Sequence, residues 1–177
     1  QITDMSYVFR YSMYNGDLSK WDVSNVKTLE SMFSRSYFDG NISTWNVSNV
    51  EIMLYCFYKS QFNGDISNWN VSNCDNFDSL FEESQFNGDI SSWQFNKNDN
   101  FSCFDLFTNN QNFINKYNNG ESIPRNTKTF TTWFENNKEK INKSFLEKGE
   151  VYLKFLCSSK DEVNKITELI SIDNVKD

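Results

Sequence analysis

The sequence predicts an α/β solenoid: 24-residue strand–helix repeats stacked into a parallel sheet and closed by a helical C-terminal cap. Three observations predict it. Trp21, Trp45, Trp69 and Trp93 keep one step of 24 residues, Gly16, Gly40, Gly64 and Gly88 keep the same step, and Phe33, Phe57 and Phe81 keep it again. A fixed step of this size over most of a chain marks stacked repeats, each too small to bury its own apolar face.

The solenoid is expected over 1–122, with units near 17–40, 41–64, 65–88 and 89–113. A partial unit precedes them, since Ile2 stands one step before Val26 and Phe9 one step before Phe33. The chain thus opens at Gln1 in mid-repeat, and further sequence is expected upstream, where a signal peptide or lipid-anchor cysteine would lie.

Within 41–64, Trp45 and Val47 are two residues apart, which places both on one face of a strand. Val50, Met53 and Phe57 sit at i, i+3 and i+7, a helical stripe. Ser48 precedes Glu51 by three and Ser72 precedes Asp75 by three, the pattern of a helix N-cap with an acid at the third helical position. The helix is expected to end before Phe62, where Asn63-Gly64-Asp65 supplies a turn with a left-handed residue.

Beyond Phe113 the period stops. Asn115 to Gly120 reads as a polar loop, and Pro124, the only proline, marks a boundary. A mainly helical cap is expected over 123–177, beginning near Thr129 with Phe130, Trp133, Phe134, Ile141 and Phe145. Val151 to Cys157 fits strand or helix, and Asp161 to Ile170 reads as an amphipathic helix capped by Ser158 or Ser159.

Composition narrows the function. The net charge is −7, and residues 1–120 carry all of the excess, with 7 Lys/Arg against 14 Asp/Glu. That excludes the basic face of a nucleic-acid binder and an anionic membrane as partner. No apolar run approaches the ~18 residues that span a bilayer. The chain has no histidine, which removes the commonest general base and a leading metal ligand. No nucleophile motif or CxxC pair appears, so neither enzymatic activity nor a cofactor or metal is expected.

Cys56 and Cys74 align with apolar positions of neighbouring units and read, with Cys103 and Cys157, as buried free thiols. Asp17, Asn41, Asp65 and Asp89 form a ladder that calcium would need to find richer in oxygens; turn-forming residues bonded to the following backbone are expected. Asn25, Asn49 and Asn73 are expected to bond exposed backbone between coils. Asn41, Asn46, Asn70, Asn100 and Asn142 each head an N-x-S sequon; three of these come from the repeat motif itself, so they read as the motif and not as glycosylation sites.

The register Ile42, Trp45, Val47, Val50, Met53, Phe57 resembles leucine-rich repeats of the BspA-like type. The recurrent W-[DN]-V-S-N-V and F-N-G-D-I-S strings are similar to the mycoplasma lipoprotein-associated repeats, over residues 1 to about 113. The resemblance implies a leucine-rich-repeat-like solenoid acting as a surface or interaction protein, and brings no catalytic residues with it. The outward face is then Thr44, Asn46, Asn68, Asn70, Ser92 and Gln94, uncharged and rich in hydrogen-bonding groups. Such a face suits a protein partner, as a surface adhesin or a component of a larger assembly such as a virus particle; a glycan is the alternative partner.

Overall fold

The computed structural model describes residues 1–96 and 98–156, of which 143–156 are described as helical backbone. Coils stack in register: parallel bridges join Asp4 to Thr28, Thr28 to Ile52, Ile52 to Asn76 and Asn76 to Ser102. The partial first unit therefore pairs as the sequence expects. The last step, from Asn76 to Ser102, is longer than the others, and Asn96 and Asn98 both donate to the Asp75 carboxylate (2.9 and 2.8 Å).

Each coil is built from four-residue turns. In 41–64 the N–H of Trp45 bonds the Ile42 carbonyl, Val50 bonds Val47, Cys56 bonds Met53 and Ser60 bonds Phe57, all at 2.9–3.1 Å. This corrects three expectations. The strand expected at Trp45 and Val47 is not there; parallel pairing runs instead through Thr28, Ile52 and Asn76. The helix expected at Val50, Met53 and Phe57 is replaced by turns whose third residues, Tyr55 (φ 56°) and Lys59 (φ 52°), are left-handed. Ser48 and Ser72 cap no helix; their N–H and hydroxyl groups bond back to Asn46 and Asn70.

Hydrogen-bond accounting explains why turns win. Along this side alternate N–H groups close turns within the coil, and those between them reach the next coil. Met53, Tyr55, Phe57 and Lys59 donate to the carbonyls of Asn76, Asp78, Leu80 and Glu82 at 2.8–3.0 Å. A helix would use these N–H groups internally and leave this side of neighbouring coils without backbone bonds between them. The left-handed residues cost roughly 1–2 kcal/mol each. The inter-coil bonds, at about 1 kcal/mol net apiece, and the stacking they hold in register offset that cost.

Two aromatic columns fill the interior. Phe9, Phe33, Phe57, Phe81 and Phe107 stack ring on ring with centroids 5.3–5.7 Å apart. Phe38, Phe62 and Phe86 form the second column at 6.2–6.3 Å. Trp45, Trp69 and Trp93 wall the first column, and their indole N–H groups donate to the carbonyls of Leu18, Ile42 and Ile66 in the preceding coil (2.9–3.1 Å). Burying one Trp side chain removes up to ~200 Å², or about 5 kcal/mol as an upper bound.

The repeated glycine has a different cause from the one expected. Gly40, Gly64 and Gly88 are not left-handed; among the described residues the only glycine with positive φ is Gly120. A Cβ on Gly64 would stand 2.8 Å from Cε2 of Phe62, and on Gly88 2.7 Å from Phe86. The glycine exists so that the second aromatic column can fold back over its own backbone.

Two helices follow the coils. The first, α1 (Gln111–Asn118), contains the residues Asn115 to Asn118 that read as loop. Its N-cap Asn110 is fully buried, accepts from the Phe113 N–H, and donates to the Phe86 carbonyl (2.8 Å). Asn119 ends it in a left-handed conformation. The second, α2 (Thr127–Leu156), starts at Asn126, whose side chain accepts from the Thr129 N–H (3.0 Å). Its backbone makes Val151 to Leu156 helical. Phe130 and Phe134 of α2 pack edge-on against Phe95, and Phe130 also meets Phe107 of the last coil. Cys157 and the amphipathic stretch Asp161 to Ile170, with its caps Ser158 and Ser159, lie outside the described residues.

Candidate interaction surface

The residues predicted to face outward do so. Thr44, Asn46, Asn68, Asn70, Ser92 and Gln94 are all exposed, although they lie on turns and not on a strand. The geometry brings Asn68, Asn70, Ser92 and Gln94 around one concavity of about 450 Å³, with Trp69 on its wall. Thr44 and Asn46 lie one coil away on the same side. Several of these side chains hold the coil itself: Asn46 and Asn70 accept from their own turns, Thr44 donates to the Ser19 carbonyl (3.2 Å), and Ser92 donates to the Ser67 carbonyl (2.5 Å). Among the described residues, the amides of Asn68 and Gln94 are committed to no protein partner.

The polar ladders are structural. Asp17, Asn41, Asp65 and Asp89 each accept from the backbone N–H of the serine two residues on (2.7–3.0 Å). Hydrogen bonds from Ser19 hold the Asp17 carboxyl below its ordinary range. Asn49 and Asn73 donate to the carbonyls of Ser24 and Ser48 in the preceding coil (2.8 and 2.7 Å). Among the described residues no group of three or more carboxylates and thiols is arranged to hold a metal ion. Cys56, Cys74 and Cys103 are buried and free. Burial pushes the Cys74 and Cys103 thiols up to about 12, and Cys56 in the same direction.

A second surface has no counterpart in the sequence reading. The left-handed corners of the first three coils carry Tyr7, Arg10, Tyr11, Arg35, Tyr58 and Lys59. Arg10 lies over the rings of Tyr7 (5.4 Å) and Tyr11 (5.1 Å), and Arg35 over Tyr11 (5.7 Å) and Tyr58 (5.4 Å). Lys59 lies over Tyr58 and pairs with Glu83 at 2.9 Å. The Tyr7 hydroxyl donates to Glu30, which pushes its pKa up. Tyr11, Arg35 and Lys59 stand one 24-residue step apart and Arg10 and Tyr58 two steps apart, but the residue type changes from coil to coil, so the stacking and not a recurring residue reveals them.

Turn-built coils repeating every 24 residues around continuous aromatic columns, followed by two helices, define a repeat protein of the solenoid class. The chain belongs to the family described as Mycoplasma protein of unknown function, DUF285, whose model matches residues 1–85 and 36–147. No curated protein and no solved structure matches it. No described helix is long and apolar enough to cross a membrane.

Proposed function

We propose that the chain is a non-catalytic protein-binding or structural module, acting at a surface in adhesion or as a component of a larger assembly such as a virus particle. The carrying observation is the concavity at Asn68 and Gln94, where two exposed amides face outward without internal partners, beside Asn70, whose Oδ1 accepts from its own turn, and Ser92, which donates to the Ser67 carbonyl. Free donors and acceptors on a rigid stack bind at small entropic cost. The register shared with BspA-like leucine-rich repeats supports the same reading, as a resemblance.

A photo-cross-linking residue at position 68 tests it. The expected outcome is a discrete cross-linked protein species that disappears with Gln94→Ala, at unchanged melting temperature. The second reading is a glycan-binding module, favoured by the uncharged amide and hydroxyl lining beside Trp69. Glycan-array binding lost on Asn68→Ala, with no protein cross-link, would decide for it.

A further inference from the structure

The edge at the left-handed corners stands apart from the rest of the array in charge. Residues 1–120 hold 7 Lys/Arg, and Arg10, Arg35 and Lys59 all sit on this edge. Lys59 is paired with Glu83, as Lys27 is with Glu51. Among the described residues, Arg10 and Arg35 have no carboxylate partner. Both are exposed, beside Tyr7 and Tyr11, which are 47% and 60% exposed. Each guanidinium lies over two rings, and among the described residues no side-chain N–H of Arg10 or Arg35 donates to a protein acceptor. Stacking also fixes the fork that carboxylates bind and lowers the entropy lost on binding.

We propose that Tyr7, Arg10, Tyr11, Arg35 and Tyr58 form a docking surface for an extended acidic segment of a protein partner. This rests on the reading of the chain as a protein-binding module, but it places the partner on a different face from the concavity at Asn68.

The chemistry of the partner follows from three features. First, the N–H groups of Tyr7, Phe9 and Tyr11 are already bonded to carbonyls of the next coil at 2.9 Å, so the exposed recognition groups here are the side chains. Second, the two guanidiniums share the Tyr11 ring, 5.1 Å from one and 5.7 Å from the other, which keeps them close together. In an extended chain, residues i and i+2 point the same way about 6.8 Å apart, which suits two carboxylates, one for each arginine. Third, Glu30 and Glu83 bracket the edge. A long polyanion such as nucleic acid or a sulfated glycan would run over these carboxylates, whereas a short acidic segment ends between them.

Fluorescence anisotropy of a labelled peptide with Asp at every second residue tests the proposal, using the whole 177-residue chain. Saturable binding is expected, weaker as salt is raised and absent for the matching Asn peptide. Arg10→Gln with Arg35→Gln weakens it about tenfold, as expected for two exposed charge contacts. Arg10→Lys with Arg35→Lys keeps the charge, loses the planar fork and falls between. Asn68→Ala with Gln94→Ala leaves peptide binding unchanged, so a failed cross-link at position 68 and a failed peptide experiment are distinguishable. Equal binding of the Asn peptide, or no effect of the Gln pair at unchanged melting, overturns the proposal. So does displacement of the peptide by a sulfated oligosaccharide at lower concentration than by unlabelled peptide. Self-association lost in the Gln pair, without peptide binding, overturns it in favour of a second copy.

Discussion

At one end of the stack Trp93 is 3% exposed and Phe107 lies under Phe113, with ring centroids 3.7 Å apart, and against Phe130. In the first coil of this chain Trp21 occupies the same place and is 40% exposed, while Tyr14 is 43% exposed. The residue type and the local turn are the same. What differs is the neighbour: Trp93 packs on Phe81 and donates to the Ile66 carbonyl of the coil before it, and Phe113 of α1 and Phe130 of α2 cover Phe107. Burial in this molecule is a property of place in the stack, and stability is nearest-neighbour in character.

Tryptophan truncation gives the largest test of that contrast. Trp69→Ala removes a side chain that is 4% exposed, together with its bond to the Ile42 carbonyl. It is expected to cost about 3–5 kcal/mol. Trp21→Ala, in the first coil of this chain, is expected to cost about 1 kcal/mol. Denaturant unfolding of the two variants checks both, and equal losses would break the comparison. Next in size is Phe134→Asp, which puts a charge under α2 where Phe134 meets Phe95 at 5.1 Å. A loss of roughly 2–4 kcal/mol is expected. Cys103, whose N–H donates to the Thr127 hydroxyl, should then react with a thiol reagent before Cys56 does. Simultaneous reaction of both would mean that the cap and coils unfold as one unit.

A third test is a pH dependence. The Cys74 and Cys103 thiols are raised by burial from 9.0 to about 12. Below pH 9 each is protonated whether the chain is folded or not, and its contribution to stability is fully present. Between about 9 and 12 the unfolded chain ionises and the folded one does not, so stability falls by at most about 1.4 kcal/mol per pH unit per thiol. Melting followed from pH 7 to 10.5 should decline above pH 9, and replacing both cysteines by Ala should flatten the decline. An unchanged slope would show that the thiols do not carry it.

The period, the aromatic core, the buried cysteines and the Asn and Asp ladders were legible because each is a residue type recurring at one step. The helix was misread for a physical reason. Val50, Met53 and Phe57 return to the core every three or four residues, and four-residue turns do this as well as a helix does. Ser31, Arg35, Tyr55 and Lys59 adopt positive φ without the Gly or Asn that usually announces it. The outward face survived the error, since Asn68 and Asn70 flank the buried Trp69 in either backbone. Helix α1 was hidden by its asparagines, although Asn110 and Asn119 are its caps.

The alternate bonding between coils has an electrical consequence. The carbonyls of Thr28, Glu30, Met32 and Ser34 accept from the coil before them, with the N–H groups of Leu29, Ser31, Phe33 and Arg35 directed to the coil after. On the remaining sides the sense reverses: the carbonyls of Leu18, Ser24, Lys27 and Ser36 accept from the coil after. Peptide dipoles on opposite sides therefore oppose one another along the stacking axis. An α-helix gathers partial charge at its termini because all of its dipoles agree. This stack gathers little, so each added coil meets the same field as the last, and length carries no electrostatic penalty.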